Sequence, residues 1–260
     1  MNSVRAWRSA AIRHIRRAVP PLLTAASVFV VWELSVRLLH VREALLPAPT
    51  RIAMLFASAE ASLIFQHTLP TLWQAVSGFG TAIVLAVLTA GAITYSRVLN
   101  EAIYPYLIGL QVVPKMALAP IFVLWLGIGF ASRFVFATFV CFFPIVIALT
   151  TGLRGTRPEA VLLARSVGAS RIQILCHIRF PFALPYFFTG TKIAATMSLI
   201  GVVIGEFITS DKGLGFLILY AGSRSNTPLM MAAIVVLCLA GLAIYSAVVL
   251  AEHLTRSRLS

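Results

Sequence analysis

Six stretches of this chain are apolar enough and long enough to cross a bilayer, and that single property excludes most folds. A span needs roughly 20 mostly apolar residues, because a helix rises about 1.5 Å per residue through a hydrocarbon core of about 30 Å. The stretches at about 19–40, 69–96, 102–127, 132–153, 181–208 and 227–251 meet this requirement, with Lys115 and Lys192 interrupting the third and fifth. In lipid, every backbone polar group must find its partner inside the protein, so spans of this kind are helices. The chain is 60% hydrophobic and 11% charged, outside the range of soluble globular domains. The expectation is an all-α membrane protein with six transmembrane helices.

The basic residues orient these spans. With the N-terminus inside, thirteen arginines fall on the cytoplasmic side (5, 8, 13, 16, 17, 97, 154, 157, 165, 171, 179, 256 and 258). Five cations (Arg42, Arg51, Arg133, Lys212 and Arg224) fall on the other, with Arg37, Lys115 and Lys192 set inside the membrane. The excess of Lys and Arg marks the cytoplasmic side. Residues 1–18 then read as a basic cytoplasmic segment, 19–251 as the six-span body and 252–260 as a cytoplasmic tail. The basic start before an apolar region also resembles a signal peptide, but no soluble domain follows, so a retained first span is expected.

The formal net charge of +13 raises the question of nucleic acid. The arginines cluster between apolar runs and make no basic stripe with interleaved aromatics, so no nucleic-acid binding is expected. Cys141, Cys176 and Cys238 have neither metal nor disulfide spacing and read as buried small hydrophobes. No Gly-Lys dipeptide occurs, so no phosphate loop can form, and there is no HExxH or nucleophile elbow. No catalytic residue, metal or cofactor is expected, and any energy source must lie in another subunit.

Three further segments have amphipathic or short apolar patterns. Residues 48–66 suit a helix at the interface, and Trp7, Ala11 and Ile15 share a helical face that suits an inner-surface helix. Residues 213–222 are apolar but too short to cross, and are expected at the outer mouth.

The most charged internal stretch is TRPEAVLLARSVGASRIQILCHIRFPFALP, residues 156–185. Ionised side chains cost roughly 2.5–3.5 kcal/mol each at the bilayer centre, so residues 156–180 belong in water. Thr156 three residues before Glu159, and Ser170 three before Gln173, read as two capping boxes. Gly168 is placed to end the first helix in the left-handed conformation. The spacing predicts a short helix, a tight Gly-Ala-Ser turn and a second short helix, with Pro181 and Pro185 leading into the fifth span.

Ala164, Gly168, Ala169, Ser170, Pro181 and Pro185 resemble the EAA loop of bacterial ABC-importer permeases, the element that couples to the ATPase. The family's glutamate, six residues before the glycine, is Leu162 here, and Leu163 replaces the first alanine. Glu159, one turn earlier, fits a capping role better. VPKMALAPIFVLWLGIG (113–129), LLPAPTRI (45–52) and DKGLGFLI (211–218) are similar to segments of the subfamily that carries sulfonates, taurine, nitrate and pyrimidine precursors. The GVVIGEF stretch (201–207) looks more like the heterocycle branch, which carries pyrimidine or riboflavin-type compounds, than the sulfonate branch.

The resemblance implies a type I ABC-importer permease fold in a bacterial inner membrane. It also implies a second copy of the chain, two cytoplasmic ATPase subunits and an extracytoplasmic substrate-binding protein. The residues matched to the coupling loop are Glu159, Leu162, Ala164, Arg165, Gly168, Ala169 and Ser170.

Inside the membrane, Lys192 and Lys115 each read two ways, as snorkelling cations or as charges on a translocation path. Glu206 reads as reaching the outer interface or pairing with a cation at the mouth. Gly190, Ala194, Ser198, Gly201 and Gly205 form a small-residue stripe for close helix packing or for a path lining. Glu33 and Arg37, four apart, are expected to pair. The alternative function is a self-sufficient secondary transporter or channel, with 156–180 an incidental loop. Such proteins often carry internal repeats, and none is evident in this sequence.

Overall fold

The structure, a computed structural model, describes the backbone of residues 2–209 and 211–257 and the side chains of 19–208 and 211–257. The described secondary structure is helical throughout. In chain order the helices are α1 (Asn2–Leu38), α2 (Pro49–Leu55), α3 (Glu60–Tyr95), α4 (Arg97–Val112), α5 (Ala119–Leu126) and α6 (Phe130–Arg154). They continue as α7 (Pro158–Ser166), α8 (Arg171–Ile174), α9 (Phe180–Thr209), α10 (Leu214–Ser223) and α11 (Thr227–Ser257). Among the described residues, five helices are long and apolar enough to cross a membrane, or six if the bent pair α4 and Lys115–Leu126 counts as one span.

The chain forms two compact units. The first comprises residues 1–62 and 221–232. In it Arg37 Nη2 lies 2.6 Å from Glu33 Oε1, the expected i,i+4 pair. Glu33 also does something its spacing did not reveal. Its carboxylate accepts from the Thr50 N–H at 3.1 Å and the Thr50 hydroxyl at 2.7 Å, closing off the start of α2. The Thr227 hydroxyl donates to the Ala44 carbonyl at 2.5 Å. The side chains of Trp7, Ala11 and Ile15 lie outside the described residues. The backbone there is part of α1.

The second unit, residues 63–220 and 233–260, is built around α6. More of α6 is buried than of any other candidate span. Its most extensive partner is α9. The small-residue stripe of α9 is a packing face. A Cβ at Gly190 would stand 2.7 Å from the Pro144 carbonyl, one at Gly201 3.1 Å from Ala137 Cα, and one at Gly205 2.7 Å from Arg133 Cγ. From α3, Ala82, Ala86 and Ala90 complete the same core, all three fully buried.

Three expectations need correction. The third apolar run is not one straight span, because α4 and the segment Lys115–Leu126 meet at 94°. The cause is Pro114, which pushes Val113 out of the helical region to ψ 131°. Residues 48–66 are not one interfacial helix, since α2 ends at Leu55 and Glu60 begins the same long helix that carries the second span. Of the three cysteines, only Cys141 is buried, while Cys176 and Cys238 are exposed.

Candidate functional site

The segment 156–180 forms an elbow whose conformation follows from its local chemistry. Helix α7 starts with Pro158 in its first turn and has Arg157 as N-cap, with no side-chain cap. The anticipated Thr156–Glu159 box is absent. The Thr156 hydroxyl is already committed to the Leu153 carbonyl at 3.1 Å, and Pro158, with its preset φ, suits the first helical position. Glu159 sits in the first turn, where its charge favours the helix dipole.

The end of α7 is closed as expected. Gly168 has φ +83°. The Ala169 N–H reaches back to the Ala164 carbonyl at 2.9 Å, and the Gly168 N–H to the Arg165 carbonyl at 3.0 Å. Those two bonds are the paired pattern of a Schellman stop. Ser170 and Gln173 then cap each other, with Gln173 Oε1 2.7 Å from the Ser170 N–H and Ser170 Oγ 3.3 Å from the Gln173 N–H.

The second helix of the elbow is not a separate short piece. Helix α8 passes through a π-helical turn, Leu175–Arg179, directly into α9. Pro181 lies just beyond this turn. Without an N–H it cannot bond the carbonyl four residues back, and a π turn relieves the clash its ring would make there. One continuous rod therefore runs from Arg171 to Thr209.

The elbow has a small core of its own. Val161, Ala164 and Ile174 are buried together, with Ala169 and Ile178 against them. The opposite face of α7 is apolar and open, with Leu162 63%, Leu163 68% and Val167 79% exposed. Leu162, where the resemblance expects a glutamate, is thus part of an exposed apolar ridge.

The residues singled out inside the membrane are dispersed, each with local partners. Lys115 sits in the 3₁₀ turn at the bend, donating to the Gln111 carbonyl at 3.3 Å and lying 5.3 Å from the Phe143 ring. It thereby satisfies a carbonyl that the broken helix leaves without a partner. Lys192 Nζ lies 2.5 Å from Glu252 Oε2 on α11, and Glu252 also holds Arg256 at 2.7 Å. Ser198 is fully buried and donates to the Ala195 carbonyl at 2.8 Å.

Glu206 does not reach the interface. It is 1% exposed, and its carboxylate accepts from the Thr71 hydroxyl and the Gly215 N–H, both at 2.7 Å. The Leu214 N–H donates to the Thr71 oxygen at 2.8 Å, and the Gly213 N–H to His67 Nδ1 at 3.0 Å. Three successive N–H groups at the start of α10 are thus bound by α3 and α9. A carboxylate at that helix end is electrostatically favoured. Gly213, at φ +112°, has no room for a Cβ, which would collide with the Glu206 carboxylate. The sequence offered a signal for this cluster in the Gly-Leu-Gly of 213–215, a run suited to close backbone approach.

One feature was not anticipated. An apolar cleft of about 880 Å³ opens between α9 and α11, bordered by Met116, Ile200, Val203, Phe207, Cys238 and Tyr245 among others. Lys115, Lys192, Ser198, Gly201 and Glu206 do not line it.

Residues 82–259 match the family model described as the binding-protein-dependent transport system inner membrane component. A formylaminopyrimidine transport permease of Halalkalibacterium halodurans is 32% identical over 92% of this chain and 95% of its own. A riboflavin transport system permease of Chloroflexus aurantiacus is 34% identical over 94% of this chain and 92% of its own. Among solved structures, a chain of the MetNI methionine ABC transporter, in inward-facing conformations, superposes with a TM-score of 0.64. It is 20% identical and covers 75% of this chain and 96% of that one.

Proposed function

The chain belongs to the binding-protein-dependent transport system inner membrane components, and from that premise we propose that its α7–α8 elbow is where the importer's ATPase docks. As a family member it is a multi-pass inner-membrane permease subunit of an ABC importer, a kind of protein that works with an ATPase and a substrate-binding protein. The observation that carries the docking reading is the exposed ridge of Leu162, Leu163 and Val167 on a turn fixed by Gly168. A rigid turn presenting apolar side chains to water suits a hydrophobic anchor in a partner's groove.

In this reading the elbow and both termini are cytoplasmic, in keeping with thirteen basic residues against five. A second copy of the chain supplies a second elbow, so that each of two ATPase subunits engages one, and ATP hydrolysis belongs to them. Closure of the ATPases displaces the elbows. Because α8 continues into α9 without a break, the displacement acts on the α9–α6 pair and rocks the bundle between inward- and outward-facing packings.

Within the coupling set, Leu162 makes the contact, Ala164 and Ala169 hold the elbow together, and Gly168 and Ser170 shape the turn. Glu159 and Arg165 add charge at its ends. For the path, Lys115 stands at the bend beside Met116, which borders the cleft. Lys192, Ser198, Gly201 and Glu206 hold the helices that surround it.

The substrate fits a pyrimidine- or flavin-type heterocycle. Two relatives at 32 and 34% identity carry such compounds by name. The cleft is lined by Met116, Phe207 and Tyr245, which suits a planar ring better than an oxyanion, and Lys192 is neutralised by Glu252.

Reconstitution tests this directly. The chain, combined in proteoliposomes with its partner ATPase and binding protein, is expected to take up a labelled pyrimidine precursor or riboflavin only with ATP. Gly168→Val should leave insertion intact but abolish ATPase capture, because a β-branched residue is strained at φ +83°. Uptake by the chain alone, driven by an ion gradient, would sink the importer reading in favour of a secondary transporter.

A further inference from the structure

Between the elbow and the neighbouring ends of α3, α4 and α6 lies a cavity of about 300 Å³ into which five arginines converge: Arg97, Arg154, Arg165, Arg171 and Arg179. Topology explains why basic residues are found on this side of the protein. It does not explain why five share one cavity that no carboxylate lines. Lys192 and Arg256, by contrast, share the Glu252 carboxylate.

Here the matching is incomplete. Arg97 holds Glu101 at 2.8 Å, facing solvent, and Arg154 lies 4.9 Å from the Tyr104 ring. Arg165, Arg171 and Arg179 make no ion pair among the described residues. Arg179 is partly buried, and the nearby Arg165 opposes its charge. The other four are exposed to water, yet gathering five like charges around one opening is still unfavourable unless an anion is present to offset them.

Two further features favour an anion with a particular shape. The N-terminus of α4, a helix of 16 residues, ends at the cavity, so its partial positive charge adds to the field. Asn100 lines the same cavity, and its Oδ1 is buried with no hydrogen-bond partner. A buried acceptor without a partner is costly, and a ligand carrying a hydroxyl would satisfy it. Guanidinium groups match phosphate oxygens in bidentate geometry. The volume is at the lower end of small-molecule pockets, suitable for a headgroup and too small for a folded segment.

We propose that this cavity binds a phosphate group bearing a hydroxyl donor, held by Arg165, Arg171 and Arg179 with Asn100 receiving the hydroxyl. The anion then bridges the elbow to the spans and sets how firmly the two are joined. Two sources share this chemistry, a phosphatidylglycerol headgroup of the adjacent leaflet and a free phosphate. The leaflet is the inner one on the orientation proposed above, but binding itself does not depend on the importer reading.

The test uses the full-length chain, with native mass spectrometry after extraction from membranes and thermal unfolding in lipid nanodiscs. Arg171→Gln/Arg179→Gln is compared with Arg157→Gln/Arg256→Gln, which removes the same charge from the same side without touching the cavity. At about fivefold per arginine, the cavity pair should lose about twenty-five-fold in phosphatidylglycerol retention. The control pair should retain it. Arg171→Lys/Arg179→Lys keeps the charge and should stay within about fivefold of the parent, which separates loss of the site from misfolding. Stabilisation by phosphatidylglycerol nanodiscs, but not by phosphatidylcholine or inorganic phosphate, identifies the headgroup. Stabilisation of delipidated protein by inorganic phosphate, lost in the cavity pair, identifies the free anion. Equal retention and equal stabilisation in both glutamine pairs would overturn the proposal, including the case in which the arginines serve only to bind the ATPase.

Discussion

Glu206 and Thr71 meet through a 2.7 Å hydrogen bond in the interior of the protein, 135 positions apart in sequence. Together they receive the N–H groups of Leu214 and Gly215, so the start of α10 is fastened by side chains of α3 and α9. Thr71→Val removes both roles of the hydroxyl while keeping its volume. The expected cost is about 1–3 kcal/mol, because a buried carboxylate oxygen and a buried N–H are left short of partners. For a chain of this size that corresponds to a fall of several degrees in unfolding temperature, at about 2–4 °C per kcal/mol. Glu206→Gln should cost a similar amount, since its single amide oxygen can replace only one of the two carboxylate oxygens that accept from Thr71 and Gly215. Unchanged unfolding temperatures for both variants would remove the anchoring role.

Leu162 offers a prediction about the partner rather than the fold. It is 63% exposed, so Leu162→Ala should leave the permease as stable as the parent. If the ATPase covers it, burial of a leucine is worth about 1.5–3 kcal/mol, and affinity should fall roughly ten- to hundredfold. Titration of the ATPase onto permease in nanodiscs measures this. Equal affinity for Leu162→Ala and the parent would place the docking surface elsewhere.

The elbow and the spans were legible because their signals are local. Apolar run length, a Gly at the left-handed position and the Ser170–Gln173 box each concern residues within a few positions of one another. Thr156 misled for a local reason too, since Pro158 suits a helix start as well as a capping threonine does. The sharp bend was present in the sequence as Pro114, but the pre-proline effect on Val113 does not fix an angle. The contact of Glu206 with Thr71 and Gly215 was out of reach, since no periodicity links α3, α9 and α10 and the Gly-Leu-Gly run signals a close approach without naming its partner. The partner of Lys192 was hidden by a boundary. Glu252 was assigned to the tail, whereas α11 runs on to Ser257 and brings it alongside α9.

That pair separates two roles for Lys192. A cation that attracts substrate is needed for itself, whereas a cation that holds α9 to α11 is needed only with its partner. Glu252→Gln should impair folding or transport more than Lys192→Met, because Lys192 then has no carboxylate, while in the reverse case Glu252 keeps Arg256. The double variant Lys192→Met/Glu252→Gln should recover most of the activity lost by Glu252→Gln. The coupling between the two sites read from such a cycle is expected to be about 1 kcal/mol. Loss of uptake in every variant lacking Lys192, with no recovery in the double variant, would assign it to the path.

The α6–α9 contact makes a prediction in which the sign of a glycine substitution depends on its neighbours. At Gly190 a methyl group would stand 2.7 Å from the Pro144 carbonyl oxygen and 2.9 Å from Ala148 Cβ. Backbone cannot yield as a flexible side chain can, so the two helices must separate. Gly190→Ala should therefore cost about 1–3 kcal/mol by overpacking, even though alanine favours helix. At Gly80 on α3 nothing lies within 4 Å of the same methyl group, and Gly80→Ala should stabilise by up to about 1 kcal/mol. Unfolding temperatures of the two variants in the same detergent compare them directly. A gain at both positions would mean that α6 and α9 pack more loosely than the close approach of Gly190 to Pro144 requires.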